Sequence, residues 1–174
     1  MRDGHRRTAV RHQPTNLAGM TRNNKQGRTA VRQQQQKTMT ELKVRTMAEC
    51  LATGEAPEVL FWVGCAGSFD DRAKKITKAI ARILQHCNVS FAILGQEEMC
   101  TGDPAKRAGN EFLFQMMAMQ NIQVLNGYEV KKIVTGCPHC FNTLKNEYPA
   151  LGGTYEVVHH TQLINELISA GRIT

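Results

Sequence analysis

Four of the six cysteines in this 174-residue chain have the spacing of a ligand set shared among separate loops. The four are Cys65, Cys100, Cys137 and Cys140, and successive members are separated by 34, 36 and 2 residues. Four thiolates are the donor set of a cubane iron–sulfur cluster and also of a tetrahedral zinc ion. Because the chain begins without an apolar secretory signal, such chemistry is favoured over structural disulfides. We therefore interpret the four cysteines as a metal or redox site.

Glycines stand close to these cysteines in the sequence. A group bound by four thiolates is anionic and is stabilised by nearby backbone N–H donors, and glycine allows the backbone to approach closely. The glycines that we expect to contribute to cofactor binding are Gly64, Gly67, Gly102 and Gly136. Cys65 and Cys137 also precede segments with helical patterns, where free N–H groups at a helix start lower a thiol pKa.

The elements that position these residues alternate along the chain from residue 58 onward. Strands are predicted over residues 58–63, 89–94, 131–135 and 155–158, and helices over 70–86, 108–121, 138–147 and 161–170. This order predicts an α/β fold with a parallel, Rossmann-like sheet, right-handed crossovers and helices on both faces. Loops that follow parallel strands open at the carboxyl edge of the sheet, so the pattern predicts that the four cysteines meet at that edge.

Two other chemistries are compatible with the same thiols. A zinc-stabilised structural or interaction domain needs four ligands, although structural zinc sites usually contain paired C-x2-C motifs and only one such motif is present. Cys137-Pro138-His139-Cys140 also resembles a thiol–disulfide exchange motif at a helix start. Its position in the last quarter of the chain, without a suitable later proline, makes this second alternative weaker.

The remaining cysteines and one histidine have simpler interpretations. Cys87 completes the apolar stripe of the helix over 70–86 and is expected in the core, whereas Cys50 has no partner that the sequence identifies. His159 follows the last predicted strand at the same sheet edge as the thiols. We expect it to contact the cofactor, with a hydrogen bond to Thr161 at the helix start as the alternative.

The positive charge of the chain is confined to its first 40 residues. The formal net charge is +7, but residues 1–40 hold nine Lys and Arg against Asp3 alone (+8), which leaves −1 for residues 41–174. The basic composition of residues 1–40, which lack aromatic residues, predicts a disordered basic tail. A targeting segment, or an extension ahead of a true start near Met39, is compatible with the same composition. Nucleic-acid binding by the folded part is therefore not expected, and without an apolar run long enough to span a bilayer we expect a cytoplasmic location.

The predicted loops resemble a known family. Residues 61–65 (FWVGC), 97–104 (EEMCTGDP), 137–149 (CPHCFNTLKNEYP) and 156–163 (EVVHHTQL) resemble the cysteine-rich CCG module. This module occurs in the B and D subunits of heterodisulfide reductase and in iron–sulfur subunits of glycolate and lactate oxidation systems. The resemblance extends over about residues 58–172, so we divide the chain into a tail (1–40), a lead-in segment (41–57) and a CCG-type domain (58–174).

The resemblance implies a protein that binds a [4Fe–4S]-type cluster through Cys65, Cys100, Cys137 and Cys140. Such a protein passes electrons within a larger heterodisulfide reductase-like or 2-hydroxy acid oxidase-like complex, and its substrate chemistry depends on partners. The family often has a second cysteine where this chain has Thr101. That difference favours a simple cubane over the five-cysteine non-cubane cluster of heterodisulfide reductase.

The resemblance also implies partners, because family members usually carry two such modules in tandem. We therefore expect a second CCG module, a ferredoxin-like or flavin subunit, or a homodimer to complete the assembly. Membrane association is expected only through those partners.

Overall fold

The structure of the protein is a computed structural model, which describes residues 42–173. The predicted basic tail over residues 1–40 lies outside the described residues. The described part contains one sheet of five strands, which are β1 (Arg45–Thr46), β2 (Val59–Trp62), β3 (Phe91–Ile93), β4 (Lys132–Thr135) and β5 (Glu156–His159). All neighbouring strands are parallel, and their order across the sheet is β1-β3-β2-β4-β5. The predicted α/β fold with a parallel sheet is confirmed.

Seven α-helices connect or flank the strands of the described residues. They are α1 (Met47–Thr53), α2 (Gly64–Phe69), α3 (Asp71–His86), α4 (Asp103–Arg107), α5 (Glu111–Gly127), α6 (Pro138–Asn142) and α7 (His160–Ser169). Single turns of other helix types cover Gly95–Glu97, Thr143–Glu147 and Tyr148–Leu151. In the described part of the chain no helix is both long enough and apolar enough to cross a bilayer.

The sheet separates two hydrophobic cores, because alternate residues of a strand point to opposite faces. In β2, Leu60 and Trp62 belong to the core that also contains the buried side of α5. Val59 and Phe61 belong to the other core, with buried residues of α3 and α7. Since all four residues of β2 are buried and each large apolar side chain contributes about 1.5–3 kcal/mol on full burial, this strand is the centre of the fold.

Residues before the first predicted strand also belong to the folded unit. The segment 42–57, interpreted from the sequence as a lead-in, contains the edge strand β1 and the helix α1. A capping box begins this helix, since the Glu49 N–H donates to Thr46 Oγ1 (3.2 Å) and the Thr46 N–H donates to Glu49 Oε2 (2.8 Å). Gly54, with φ of 72°, ends it.

Two local predictions were wrong in detail. Residues 64–69, predicted as a loop between the strand over 58–63 and the helix over 70–86, form α2, a short helix that carries Cys65 in its first turn. The helix expected over 138–147 ends as an α-helix at Asn142 and continues as a π-helical turn and a 3₁₀ turn. Pro149 has no N–H to donate and lies in the 3₁₀ turn, so the regular helix does not continue through it.

Candidate metal centre at the carboxyl edge of the sheet

The chain reverses its direction of travel across the sheet between β2 and β4. From β2 the chain proceeds to β3 on one side of β2, and from β3 it crosses to β4 on the other side. The loops that follow the neighbouring strands β2 and β4 therefore diverge. Such a switch point leaves a crevice at the carboxyl edge of a parallel sheet, where ligands bind. Cys65 follows β2 and Cys137 follows β4, so two predicted ligands lie on the two sides of this crevice.

The loop that carries Cys65 is held by an acidic side chain from the loop after β3. The Glu98 carboxylate accepts hydrogen bonds from the N–H groups of Val63 (2.9 Å) and Gly64 (2.5 Å). Burial raises the pKa of the Glu98 carboxyl to about 7, although the two N–H donors favour its charged form. Glu98 therefore connects the loop before Cys100 with the loop before Cys65.

Gly64 brings the same loop close to the other cysteines. Its φ is 77°, a left-handed conformation that favours glycine. A Cβ atom at this position would lie 3.3 Å from Cys140 Sγ and 4.0 Å from Cys137 Cβ. The absence of a side chain at Gly64 thus leaves room for these two cysteines.

The Cys100 loop is fixed from behind by two buried polar side chains. Asn121 Nδ2 donates to the Cys100 carbonyl oxygen (3.0 Å) and to Tyr148 Oη (3.1 Å). The Tyr148 hydroxyl in turn donates to the Thr101 carbonyl oxygen (3.2 Å). The Gly102 N–H donates to the Cys100 sulfur and favours its thiolate, but burial outweighs this effect and raises the pKa of Cys100. Gly102 has φ of 85°, and its backbone packs against Phe114 of α5.

Cys137 and Cys140 lie at the start of α6. Cys137 is the N-cap residue, and Pro138 occupies the first helical turn, where its missing N–H costs no hydrogen bond. The Cys140 thiol donates to the Cys137 sulfur, and this hydrogen bond, supported by backbone N–H groups of the helix start, lowers the pKa of Cys137. The same hydrogen bond and burial raise the pKa of Cys140. Cys137 is therefore prepared to act as a thiolate, which is the form that binds metals.

The four predicted ligands form two neighbouring pairs. The thiols of Cys65 and Cys100 lie within hydrogen-bonding reach of each other, as do those of Cys137 and Cys140. The charge of Cys65 also acts on Cys140, which places the two pairs side by side. All six cysteines are free thiols. Within residues 42–173, no three or more His, Cys, Asp or Glu side chains converge as ligands of one metal ion do.

Asp103 joins the Cys100 loop to the helix that bears Cys140. Asp103 is 7% exposed, and its carboxylate accepts hydrogen bonds from Arg107 Nε (2.9 and 3.0 Å) and Thr143 Oγ1 (3.2 Å). His139 Nδ1 lies 3.1 Å from the same carboxylate. A buried acid with this many partners is well satisfied, so Asp103 stabilises the relative position of α4 and α6.

The other predicted cofactor-binding residues have neighbours of a different kind. A Cβ atom on Gly67 would meet Thr77 of α3 at 2.7 Å, and one on Gly136 would meet Ile80 at 2.8 Å. Both glycines therefore allow close packing against α3, and a role for them at the cofactor stays a prediction. Cys87 and Cys50 are buried in the two cores, which confirms the interpretation of Cys87.

His159 lies at the carboxyl end of β5, beside the crevice. Its Nδ1 is 2.8 Å from Thr161 Oγ1, so the hydrogen bond considered as the alternative is present. Its ring packs edge-on against Phe141, next to Cys140, with centroids 5.8 Å apart, and also contacts His160. Within the described residues, no hydrogen bond joins its ring to a cysteine sulfur, and its role at the cofactor stays a prediction.

Two residues at this site, Asn121 and Tyr148, were not identified as functional candidates from the sequence. Asn121 gave a usable signal, because it is a polar residue on the buried side of α5. Tyr148 gave none, since a tyrosine before a proline in a loop is ordinarily read as surface.

Comparison with known proteins agrees with this architecture. The cysteine-rich domain designated CCG matches residues 59–145, which is half of the chain. The chain is 47% identical over 131 residues to the EtfAB:quinone oxidoreductase of Syntrophomonas wolfei, a match that covers 75% of this chain and 18% of that protein. It is also 47% identical over 131 residues to the "Probable iron-sulfur-binding oxidoreductase" of Bacillus subtilis, with 75% and 19% covered.

A more distant relative belongs to the dihydromethanophenazine:CoB–CoM heterodisulfide reductase of Methanosarcina barkeri. This polypeptide is 30% identical over 122 residues, which cover 67% of our chain and 29% of the relative. The chain thus spans about a fifth to a third of the length of the curated relatives it matches. No solved structure matches it significantly. The extent of the domain match and the cysteine loops around the sheet edge show that this chain belongs to the CCG cysteine-rich domain family.

Proposed function

We propose that this chain is an electron-transfer module that binds one [4Fe–4S] cluster through Cys65, Cys100, Cys137 and Cys140. The observation that carries the proposal is that two neighbouring pairs of free thiols, from three separate loops, lie at the switch point of a parallel sheet. When bound, such a cluster supplies one-electron transfer. The names of the relatives support redox chemistry, since one is a probable iron–sulfur-binding oxidoreductase and another a quinone oxidoreductase.

The cysteine spacing fits a four-thiolate cluster better than a structural zinc ion, because structural zinc sites usually contain paired C-x2-C motifs and this chain has one. The sulfurs form two neighbouring pairs. In a [4Fe–4S] cluster each thiolate binds a different iron, so the sulfurs surround the cluster and do not have to meet around one atom. Gly64 lets the backbone come close to Cys140, because a Cβ atom there would lie only 3.3 Å from Cys140 Sγ.

The protein's contribution is to hold the thiols and to provide hydrogen bonds. Glu98 fixes the start of the Cys65 helix, Asp103 fixes the Cys140 helix relative to the Cys100 loop, and Asn121 holds the Cys100 carbonyl. Backbone N–H groups reach the sulfurs of Cys100 and Cys137 and stabilise negative charge there. These groups are bonded before a cluster enters, so little of the site has to reorganise on binding.

We further propose that the module works within a larger redox assembly. The match covers only 18% of the quinone oxidoreductase and 29% of the heterodisulfide reductase polypeptide, so each of these relatives carries much additional chain. A second cysteine-rich module, a ferredoxin-like or flavin subunit, or a second copy of this chain would donate or accept the electron. A cytoplasmic location, with membrane contact only through such partners, is part of the same proposal.

Anaerobic reconstitution with ferrous iron and sulfide tests the proposal. We expect a brown protein with about four irons and four sulfides per chain. Cys100→Ser should abolish cluster binding, whereas Cys87→Ser, which changes a buried core cysteine, should retain it. Equal loss in both variants would contradict the ligand assignment. A colourless protein with stoichiometric zinc, or a metal-free protein with a reducible Cys137–Cys140 bond, would overturn the proposal in favour of a zinc domain or a thiol–disulfide oxidoreductase.

A further inference from the structure

Thr101 follows Cys100 directly and is almost completely buried. Thr101 is 2% exposed, so its hydroxyl has no access to bulk water. The hydroxyl oxygen lies 4.0 Å from Cys140 Sγ, within the range of an O–H···S hydrogen bond. Among the described residues this sulfur is the hydrogen-bond partner of the hydroxyl. Because a buried hydroxyl without a partner costs free energy, the contact with the Cys140 sulfur stabilises the buried position of the hydroxyl.

The backbone of Thr101 is held independently of its side chain. Its carbonyl oxygen accepts a hydrogen bond from the Tyr148 hydroxyl at 3.2 Å, and Asn121 Nδ2 donates to that same hydroxyl oxygen at 3.1 Å. Tyr148 is fully buried and Asn121 is 1% exposed, so this connection is rigid and excludes water. The backbone position of Thr101 therefore does not depend on its hydroxyl.

We propose that Thr101 is a tuning residue of the cluster, whose hydroxyl donates a hydrogen bond to the sulfur of Cys140. The inference rests on the proposed function, because it concerns the sulfur in its cluster-bound, thiolate form. A hydrogen bond to a sulfur ligand stabilises the additional negative charge of the reduced cluster and so raises the reduction potential. One electron enters, the hydroxyl keeps its proton, and no covalent bond changes.

A purely structural role for Thr101 has a different consequence. Valine has nearly the same shape as threonine but lacks the hydroxyl, so Thr101→Val removes the hydrogen-bond donor and changes the side-chain volume little. If the hydroxyl only fills space, this variant leaves the reduction potential unchanged. If the hydroxyl serves the sulfur, the potential of the cluster falls.

The test is a redox titration of the reconstituted full-length chain, followed by electron paramagnetic resonance. We expect Thr101→Val to lower the equilibrium constant for one-electron reduction about tenfold, which corresponds to a fall of about 59 mV. Thr101→Ser, which keeps the hydroxyl, should remain close to the unmodified chain. The matched control is Thr77→Val, because the Thr77 hydroxyl faces Gly67 in the contact between α2 and α3. Equal potentials in Thr101→Val and the unmodified chain would overturn the inference.

A second measurement does not depend on how well the valine variant folds. In the reduced, unmodified chain, electron–nuclear double resonance in H2O and D2O should detect a coupled exchangeable proton that Thr101→Ser keeps and Thr101→Val or Thr101→Ala loses. If both variants without a hydroxyl lose the cluster entirely, the hydroxyl is needed for incorporation and the tuning role is wrong. If the unmodified chain itself binds no iron and sulfide, it is the proposed function that fails, and the two failures are thereby separated.

Discussion

The Glu98 carboxylate accepts the Gly64 N–H at 2.5 Å and so connects two loops that are 34 residues apart in the chain. Both loops precede a predicted cluster ligand, Cys65 in one case and Cys100 in the other. The same partly buried carboxylate accepts a second hydrogen bond, from the Val63 N–H. These two charge-assisted hydrogen bonds hold the two loops together. The position of Cys65 therefore depends on the loop that carries Glu98 and Cys100.

Glu98→Gln is expected to weaken this connection without removing the side chain. The amide has only one oxygen to accept hydrogen bonds, and its NH2 group would oppose a backbone N–H. We expect the free energy of unfolding of the metal-free chain to fall by about 1–3 kcal/mol, measured by urea denaturation. The reconstituted variant should also lose iron faster to a chelator. Glu97→Gln, which alters the exposed neighbour bonded to Tyr128, should change stability by less than about 0.5 kcal/mol.

Gly64→Ala is expected to impair the site specifically. Both Gly64 and Gly109 have left-handed backbones, with φ of 77° and 79°, so alanine at either position should cost about 1–2 kcal/mol of stability. A Cβ at Gly64 would lie 3.3 Å from Cys140 Sγ, whereas one at Gly109 would meet nothing within 4 Å. Iron and sulfide analysis after reconstitution should therefore show reduced loading for Gly64→Ala alone. Equal loading of the two variants would contradict the role given to Gly64.

Asp103→Asn is expected to loosen the connection between α4 and α6. The substitution removes the charge that Arg107 contacts and reduces the acceptor capacity available to Thr143 and His139. We expect a loss of about 1–3 kcal/mol in chemical denaturation and a faster release of iron from the reconstituted protein. Glu129→Gln is the comparison, because that acidic residue is exposed. Release of iron at the same rate in both variants would mean that Asp103 does not support the site.

Thr46→Ala is expected to separate scaffold stability from cluster binding. The change removes one half of the capping box of α1, which should lower the free energy of unfolding by about 0.5–2 kcal/mol. Since β1 and α1 contribute no residue to the four-cysteine site, iron content and the visible spectrum should match those of the unmodified chain. A loss of cluster would show that the edge of the sheet influences the site over a distance.

The sheet was predictable because the pattern of each strand is short, apolar and bounded by clear turn residues. β2 is fully buried and β4 nearly so, which gives the continuous apolar runs typical of parallel strands. β1 has two residues and cannot show such a pattern. Helix α1 was missed although Thr46 and Glu49 have the spacing of a capping box, because a helix of seven residues is too short for a convincing apolar period.

The site was predictable only as far as the positions of its cysteines. In a parallel sheet every loop after a strand lies at the same edge. The position of the thiols at one edge therefore follows from the predicted strands and from the cysteines placed directly after them. The contacts of Glu98, Asn121 and Tyr148 join residues 21 to 47 positions apart, and no local pattern encodes them. The glycines show the same limit, since Gly64 faces the thiols but Gly67 faces a helix, and nothing in the sequence distinguishes the two.

The distribution of the four cysteines over three loops has a mechanical consequence. A cofactor bonded to all four would close two chain segments of 34 and 36 residues, in the way that a covalent cross-link closes a loop. Cross-links of this span lower the entropy of the unfolded chain far more than that of the folded one. In the chain-entropy description each stabilises the folded state by about 3–4 kcal/mol. Assembly of the cofactor at the carboxyl edge of the sheet would then stabilise the fold, and loss of the cofactor to oxygen would destabilise the fold as well as remove the electron carrier.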